Sequence, residues 1–392
     1  MRFSTMAEDL KPSDIREILK LTENPEVISF AGGVPDPNFF PVDEMKEITQ
    51  MILKDRGGKV LQYNTTDGLI SLRDKIAARM CAAGMLTTVD NIMIISGSQQ
   101  GLDFSGKLFL DPGDVVVCES PSYAGAISAF RAYQPEFIEI STDEEGMDLF
   151  QLKSVLESQQ NIKMIYVIPN FQNPTGKSWS LQRRREFMEL VRQHNMPVIE
   201  DDPYGEICFG SEKIPTLKSL DTDGFVIYLG TFSKTFCPGL RVGWLDAAKP
   251  VLQKYNIIKQ SSDIHTNSLA QAEIDKYLDL YDFDEHISII NRAYKMRRDK
   301  MLEAIKKHFP GNCRHTCPNG GLFIWVNISE KINSRYVLVK ALQQSVAFIP
   351  GESFYPVSNI YNTFRLNFSN VKEPEIEVGI ERLGRVLKDE LD

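Results

Sequence analysis

Five short runs of β-branched and apolar residues, NIMIIS (91–96), VVVCES (115–120), KMIYVIP (163–169), MPVIEDD (196–202) and FVIYLG (225–230), are separated by longer stretches with helical periodicity. Strands buried on both faces read as near-continuous apolar runs, and parallel neighbours need a crossover of a dozen or more residues. This spacing therefore predicts an α/β fold with a mostly parallel central sheet flanked by helices. SLRDKIAARMCAAG (71–84) is one of the helical segments: its apolar positions recur every three or four residues, and Gly84 stands where the helix should stop. Strand and helix alternate from about residue 60 to about residue 245. Helical sequence then continues to about residue 308. After it, GGLFIWVNI (320–328), a helix near 334–346, TFRLNFS (363–369) and a last helix over 373–390 read as a smaller α+β domain. The expected division is an amino-terminal segment 1–42 packing with the small domain, a large domain 43–288 and a small domain 289–392.

Composition narrows the classes of function. Hydrophobic residues at 42% and charged residues at 25% describe an ordinary globular chain and exclude disorder or coiled coil as whole-chain descriptions. Lysine plus arginine, 44, against aspartate plus glutamate, 53, leaves a net charge of −9, which is wrong for a surface that neutralises nucleic-acid phosphates. The six cysteines (Cys81, Cys118, Cys208, Cys237, Cys313, Cys317) are irregularly spaced and fit reduced thiols rather than a disulfide framework. The amino-terminal residues meet charge every few positions, and no run approaches the ~18 apolar residues that span a bilayer. The expectation is a cytoplasmic protein with neither a nucleic-acid nor a membrane partner.

Four segments carry chemistry. GTFSKTFCPGLRVGW (230–244) places Lys234 directly after a strand, flanked by the hydroxyls of Thr231 and Ser233 and followed by Arg241. Burial and neighbouring cations favour the neutral amine, which can condense with an aldehyde, and the hydroxyls and guanidinium would suit a phosphate on that aldehyde. IISGSQQGLDF (94–104) ends a strand and opens a helix at Gly97, Ser98 and Gln99, leaving backbone donors for an anion. VIEDDPYGEI (198–207) closes a strand at the edge where open α/β sheets bind ligands: Asp201 can face the ligand while Asp202 turns away. A carboxylate there would keep a pyridine nitrogen protonated, and Tyr204 could bond a phenolic ring oxygen. IPNFQNPTGKSWS (168–180) puts the Asn173 amide within reach of the same oxygen. Taken singly, the last three are also ordinary turn sequences.

Together and in this order, SGSQQGL, FQNPTG, EDDPYG and FSKTFCPGLRVG resemble the pyridoxal-phosphate-dependent aminotransferases of fold type I. The resemblance is nearer to the branch holding 2-aminoadipate and kynurenine aminotransferases and the aminotransferase-like domains of MocR-type regulators. It extends over ISFAGGVPDPNFFP (28–41), LQYNTTDGL (61–69), GGLFIWV (320–326), IPGESFYP (349–356) and TFRLNFS (363–369), most of the chain. The resemblance implies pyridoxal 5′-phosphate as cofactor, bound by the large domain, with Lys234 carrying it as a Schiff base and shuttling the substrate proton. It implies Asp201 on the pyridinium nitrogen, and Asn173 and Tyr204 on the ring oxygen. Ser98, Gln99, Thr231, Ser233 and Arg241 fall around the phosphate, with Tyr63 joining them from the second subunit of a homodimer. Tyr123, in SPSYAG, lies against the ring face, Arg365 grips the substrate α-carboxylate bidentately, and Gly33 and Asn173 border the substrate. Arg16 matches an arginine that relatives use for a distal carboxylate; a surface ion pair is the alternative. Thr231 departs from the serine of many relatives but keeps the hydroxyl.

The expected activity is transfer of an amino group from a large amino acid to a 2-oxo acid, 2-oxoglutarate for preference, by a ping-pong mechanism. A β-lyase on the same cofactor and a ligand-sensing domain of the MocR type are the alternatives. No metal is expected: Cys313, His315 and Cys317, with His308 upstream, depart from the usual paired-ligand spacings. Arg183, Arg184 and Arg185 read as a solvated helix face, Tyr281 and Phe283 as core, and His265 and His286 receive no role.

Overall fold

The computed structural model describes residues 2–9, 14–21, 24–210 and 213–390. Residues 1, 10–13 and 22–23 of the expected amino-terminal segment, and 391–392 of the expected small domain, lie outside the described residues. In chain order the strands are β1 (Ile28–Ser29), β2 (Ile92–Ile95), β3 (Val115–Ser120), β4 (Glu136–Ser141), β5 (Ile162–Val167), β6 (Val198–Asp201), β7 (Val226–Thr231) and β8 (Gly243–Asp246). There follow β9 (Arg314–His315), β10 (Phe323–Asn327), β11 (Val346–Ala347), β12 (Ile349–Pro350) and β13 (Thr363–Asn367).

Seven strands form the large sheet in the order β2-β8-β7-β6-β5-β3-β4. The pairs from β7 to β4 are parallel, and β8 is antiparallel to both β7 and β2. This is the expected α/β fold with a mostly parallel sheet, and the apolar runs have the expected cause, since both faces are covered. Ile95, Val116, Met164, Ile199 and Leu229 pack into one cluster with the helices Ser98–Phe109 and Ala124–Arg131. Val117, Ile165, Val198 and Val226 pack into another with the helix Leu181–His194. The antiparallel β8 was not foreseen. It has a consequence for the site: its start, not its end, lies level with the carboxyl ends of the parallel strands, with Gly243 opposite both Ile95 and Thr231. Arg241, two residues ahead of β8, is thereby delivered to the ligand edge.

The helical sequence after residue 248 is three helices, Lys249–Ser262, Ser268–Leu280 and Phe283–His308. Asn267 and Asp282 accept backbone N–H bonds at the starts of the second and third, which is how the stretch is broken without proline. The carboxyl-terminal part holds an antiparallel sheet β12-β13-β10-β9, and the helix Glu373–Asp389 packs on the helix Phe283–His308. The amino-terminal β1 pairs in parallel with β11, Phe30 N–H donates to Ala347 O, and Asn367 N–H donates to Phe30 O. These bonds carry residues 31–33 across the ligand edge of the large sheet. Among the described residues no helix is long and apolar enough to cross a membrane.

Candidate active site

The parallel strands end at one edge, where Asp201 closes β6 and the loops leaving β3, β5, β6 and β7 bring Tyr123, Asn173, Tyr204 and Lys234. Alternation along β6 sends Ile199 and Asp201 to one face and leaves Asp202 for the other, where it accepts from Tyr228 Oη at 3.0 Å and Asn170 Nδ2 at 3.1 Å. The expected split between the two carboxylates is therefore a result of the pleat. Asp201 is 1% exposed; its Oδ2 accepts from Tyr166 Oη at 3.0 Å, while its Oδ1 is buried without a partner among the described residues. Burial, more than any other cause, pushes the Asp201 carboxyl up to about 7. An unsatisfied buried carboxylate oxygen is costly unless a donor arrives with the ligand, and a protonated ring nitrogen is such a donor.

Lys234 Nζ donates to Gly33 O at 2.9 Å. Removal from water, then the Arg365 and Arg241 cations, hold this ammonium down to about 8, against the pull of Asp201. A lysine so placed loses its proton far more readily than a free one. Arg365 is 3% exposed on β13; Nη1 donates to Asn173 Oδ1 at 2.8 Å and Nη2 to Ala31 O at 2.9 Å, while Nε has no partner among the described residues. Its guanidinium lies 4.2 Å from the Phe323 ring centroid and 5.1 Å from that of Phe354, a geometry that fixes the plane of the fork. Asn173 in turn donates from Nδ2 to Tyr204 Oη at 3.2 Å, and the Tyr204 ring meets Phe323 edge-on at 5.7 Å. Lys234, Gly33, Asp201, Asn173, Tyr204 and Arg365 are thus joined by contacts and charge into one buried cluster. Tyr123 belongs to it electrostatically: burial and Asp201 raise its hydroxyl above the ordinary value, and Arg365, Arg16 and Arg241 pull it down.

The anion side is built separately. The helix Ser98–Phe109 starts at Gly97 with no side chain capping it, so the donors of Ser98 and Gln99 remain for a ligand. Arg241, in the left-handed region at φ 54°, donates from Nη1 to Ser233 Oγ at 3.4 Å and from Nη2 to Ser96 O at 3.2 Å. Thr231 Oγ1 donates to Ser233 Oγ at 2.9 Å. Gly97 has φ +81°, and a Cβ there would stand 2.5 Å from Arg241 Nη2, so only glycine lets the guanidinium lie over the helix start. Gln99 Nε2 donates to Gly125 O at 2.9 Å. These residues fit a phosphate, and the orphaned Asp201 oxygen fits a pyridine nitrogen.

Two expected residues are exposed. Tyr63 is 77% exposed, with its ring against His265 at 5.9 Å. Arg16 is exposed on the helix Asp14–Leu21. Three side chains that support the cluster were not foreseen. Tyr166 is the donor to Asp201. Glu119 accepts from Ile168 N at 3.0 Å and from Trp179 Nε1 at 2.9 Å, joining the two ends of the turn that carries Asn173. Arg184 corrects the reading of 183–185 as a solvated face: it is fully buried, donating to Pro169 O, Asn170 Oδ1, Trp179 O and Pro215 O. Its neighbour Arg185 is exposed, whereas Arg183, at an intermediate position, donates to Met147 O and pairs with Asp143 at 2.9 Å, so the charge run hid two structural members.

The geometry agrees with comparisons to known proteins. The family profile described as aminotransferase class I and II matches residues 25–383. The chain is similar to aromatic-amino-acid aminotransferase 1 of Thermococcus litoralis, 42% identical over 99% of this chain and 94% of that protein. Among solved structures, Pyrococcus horikoshii kynurenine aminotransferase, in complex with PMP, superposes with a TM-score of 0.96 at 41% identity, covering 100% of this chain and 98% of that one. The alpha-aminoadipate aminotransferase of Thermus thermophilus, complexed with N-(5′-phosphopyridoxyl)-L-leucine, gives 0.93 at 38% identity, covering 99% and 98%. The chain belongs to the class I and II aminotransferases, enzymes of fold type I whose cofactor is pyridoxal 5′-phosphate.

Proposed function

We propose that this aminotransferase takes its amino group from a large amino acid, aromatic, long aliphatic or 2-aminoadipate-like, and passes it to 2-oxoglutarate in two alternating half-reactions. The observation that carries this reading is the conjunction of a lysine held down to about 8, an orphaned Asp201 oxygen and a buried Arg365 fork in one buried cluster. The aromatic, kynurenine and aminoadipate activities named for its relatives support the breadth of donors.

Ser98, Gln99, Thr231, Ser233 and Arg241 would hold the cofactor phosphate, Asp201 the ring nitrogen, Asn173 and Tyr204 the ring oxygen, and Tyr123 the ring face. When bound, pyridoxal phosphate supplies the electron sink that makes the substrate α-proton acidic. Arg365 binds the α-carboxylate and orients the substrate, deciding which bond at the α-carbon lies perpendicular to the ring. Lys234 takes the proton from the substrate α-carbon in one half-reaction and returns a proton to the α-carbon of the new amino acid in the other. Gly33 would line the substrate side, and Arg16 would read a distal carboxylate, a reading supported by the reach of its charge to Tyr123. The exposed Tyr63 completes the phosphate site of a second subunit, making the working form a homodimer. We further assign residues 43–288 and 289–392 to the large and small domains, with 1–42 packing on the small one, and place the enzyme in the cytoplasm.

The test is a panel of amino acids with 2-oxoglutarate, scored as glutamate formed. Glutamate from aromatic donors and 2-aminoadipate supports the reading. Release of ammonia and pyruvate without glutamate identifies a β-lyase and refutes it. Arg16→Ala should weaken 2-aminoadipate use while sparing phenylalanine.

A further inference from the structure

The two oxygens of Asp201 have different surroundings. Oδ2 accepts the Tyr166 hydroxyl at 3.0 Å, and Oδ1 accepts from nothing among the described residues. Strand pairing produces this asymmetry. β5 and β6 are parallel with Tyr166 opposite Ile199, so Tyr166 shares the face of Ile199 and Asp201, and its side chain reaches one pleat step toward the ligand edge. The Tyr166 ring is 1% exposed and is braced edge-on by Phe130 at 5.6 Å and 75°. Its hydroxyl position is thus set by the sheet and by packing, on strand rather than loop.

We propose that Tyr166 is a positioning residue for the reaction: by donating to Oδ2 it leaves Oδ1 alone to face the cofactor ring, and it weakens Asp201 as a base, so that the shared proton stays on the ring nitrogen. The proposal rests on the assignment of Asp201 to that nitrogen. In a buried acid–pyridine pair the proton resides on whichever partner is the stronger base, and only the protonated ring is a strong electron sink. Burial makes Asp201 more basic than a surface aspartate, the wrong direction for this task, and the Tyr166 hydrogen bond is the largest contribution opposing it. A hydroxyl needed only to satisfy itself could have been any donor to any acceptor; this one occupies one oxygen of Asp201 and leaves the other without a donor among the described residues.

The test uses holoenzyme loaded with pyridoxal phosphate labelled with 15N at the ring nitrogen, whose chemical shift reports where the proton sits. Tyr166→Phe keeps the ring and its packing. It should move the signal toward the unprotonated position and lower kcat about tenfold, with KM for the amino donor changed less than about threefold. Tyr166→3-fluorotyrosine, a stronger donor of the same shape, should move the signal the other way, and it keeps the proposal testable if the Phe variant folds poorly. Asp201→Asn is the control. A Tyr166→Phe signal at the wild-type position, while Asp201→Asn moves it, overturns the role of Tyr166 alone. A signal unmoved in both variants overturns the Asp201 assignment beneath it.

Discussion

Glu119 offers the sharpest quantitative test of how the cluster is held. It lies on β3, 2% exposed, and accepts one N–H from Ile168 and one from Trp179, at the two ends of the 168–180 turn. Burial is the largest influence on it and overrides the opposing hydrogen bonds of Ile168, Trp179 and Gln172, pushing the carboxyl from its ordinary 4.5 to about 7. Because the folded value lies above the unfolded one, the native state binds this proton more tightly. The group's stabilising contribution is complete below pH 4.5 and is lost as pH rises through about 7. At about 1.36 kcal/mol per pH unit, the interval from 4.5 to about 7 corresponds to about 3 kcal/mol. Glu119→Gln has nearly the same shape and cannot titrate. In urea unfolding of the cofactor-free protein, followed by tryptophan fluorescence, the stability of wild type relative to the variant should therefore fall by about 3 kcal/mol between pH 4.5 and pH 8. A difference independent of pH would refute this: it would mean that the hydrogen-bond donors keep the carboxylate ionised throughout and that burial is not the dominant influence.

Three further outcomes are expected. Arg365→Lys loses the planar fork, leaving Asn173 Oδ1 without its donor, and should lower kcat/KM for amino acids by about 10- to 100-fold, from ~1.5–3 kcal/mol for a hydrogen bond to a charged group. The same variant should discriminate less between an amino acid and the corresponding amine lacking the carboxylate; unchanged discrimination would remove Arg365 from the substrate site. Gly97→Ala should raise the Kd for pyridoxal phosphate at least about tenfold in equilibrium dialysis, because the new methyl displaces Arg241, and an unchanged Kd would show that the guanidinium is not needed there. Mixing inactive Lys234→Ala protein with Tyr63→Ala protein should restore activity, since a heterodimer regains one site with both side chains intact; absence of rescue would place Tyr63 outside a shared site.

The parts of this molecule legible in the sequence are those written in consecutive residues. Both-face burial of β3, β5, β6 and β7 makes each an apolar run, and alternation within VIEDD alone separates Asp201 from Asp202. β4 escapes such a reading because its sequence, EFIEIS, interleaves charge at the edge of the sheet, and β8 because GWLD is only four residues long and follows the turn CPGLRV. Arg184 is misread because periodicity assigns a face to a helix position but does not say which loops fold back over that face.

Tyr166 and Glu119 show the limit more generally. Each acts on a residue 35 to 60 positions away, Tyr166 on Asp201 and Glu119 on Trp179, through a contact that exists only once neighbouring strands have a register. Their types give no warning, since a tyrosine or glutamate within an apolar run reads as an edge residue or a snorkelling one. What distinguishes them is that burying a hydroxyl or a carboxylate without a partner costs several times what a satisfied one does, so a polar group in a strand covered on both faces implies a specific acceptor or donor across the sheet. In an α/β enzyme the acceptors concentrated near the ligand edge are the functional ones. A polar side chain one or two residues from the carboxyl end of a central parallel strand is therefore a candidate for tuning the group beside it, and KMIYVIP, with Tyr166 one residue before the end of β5, carries that signal in the sequence itself.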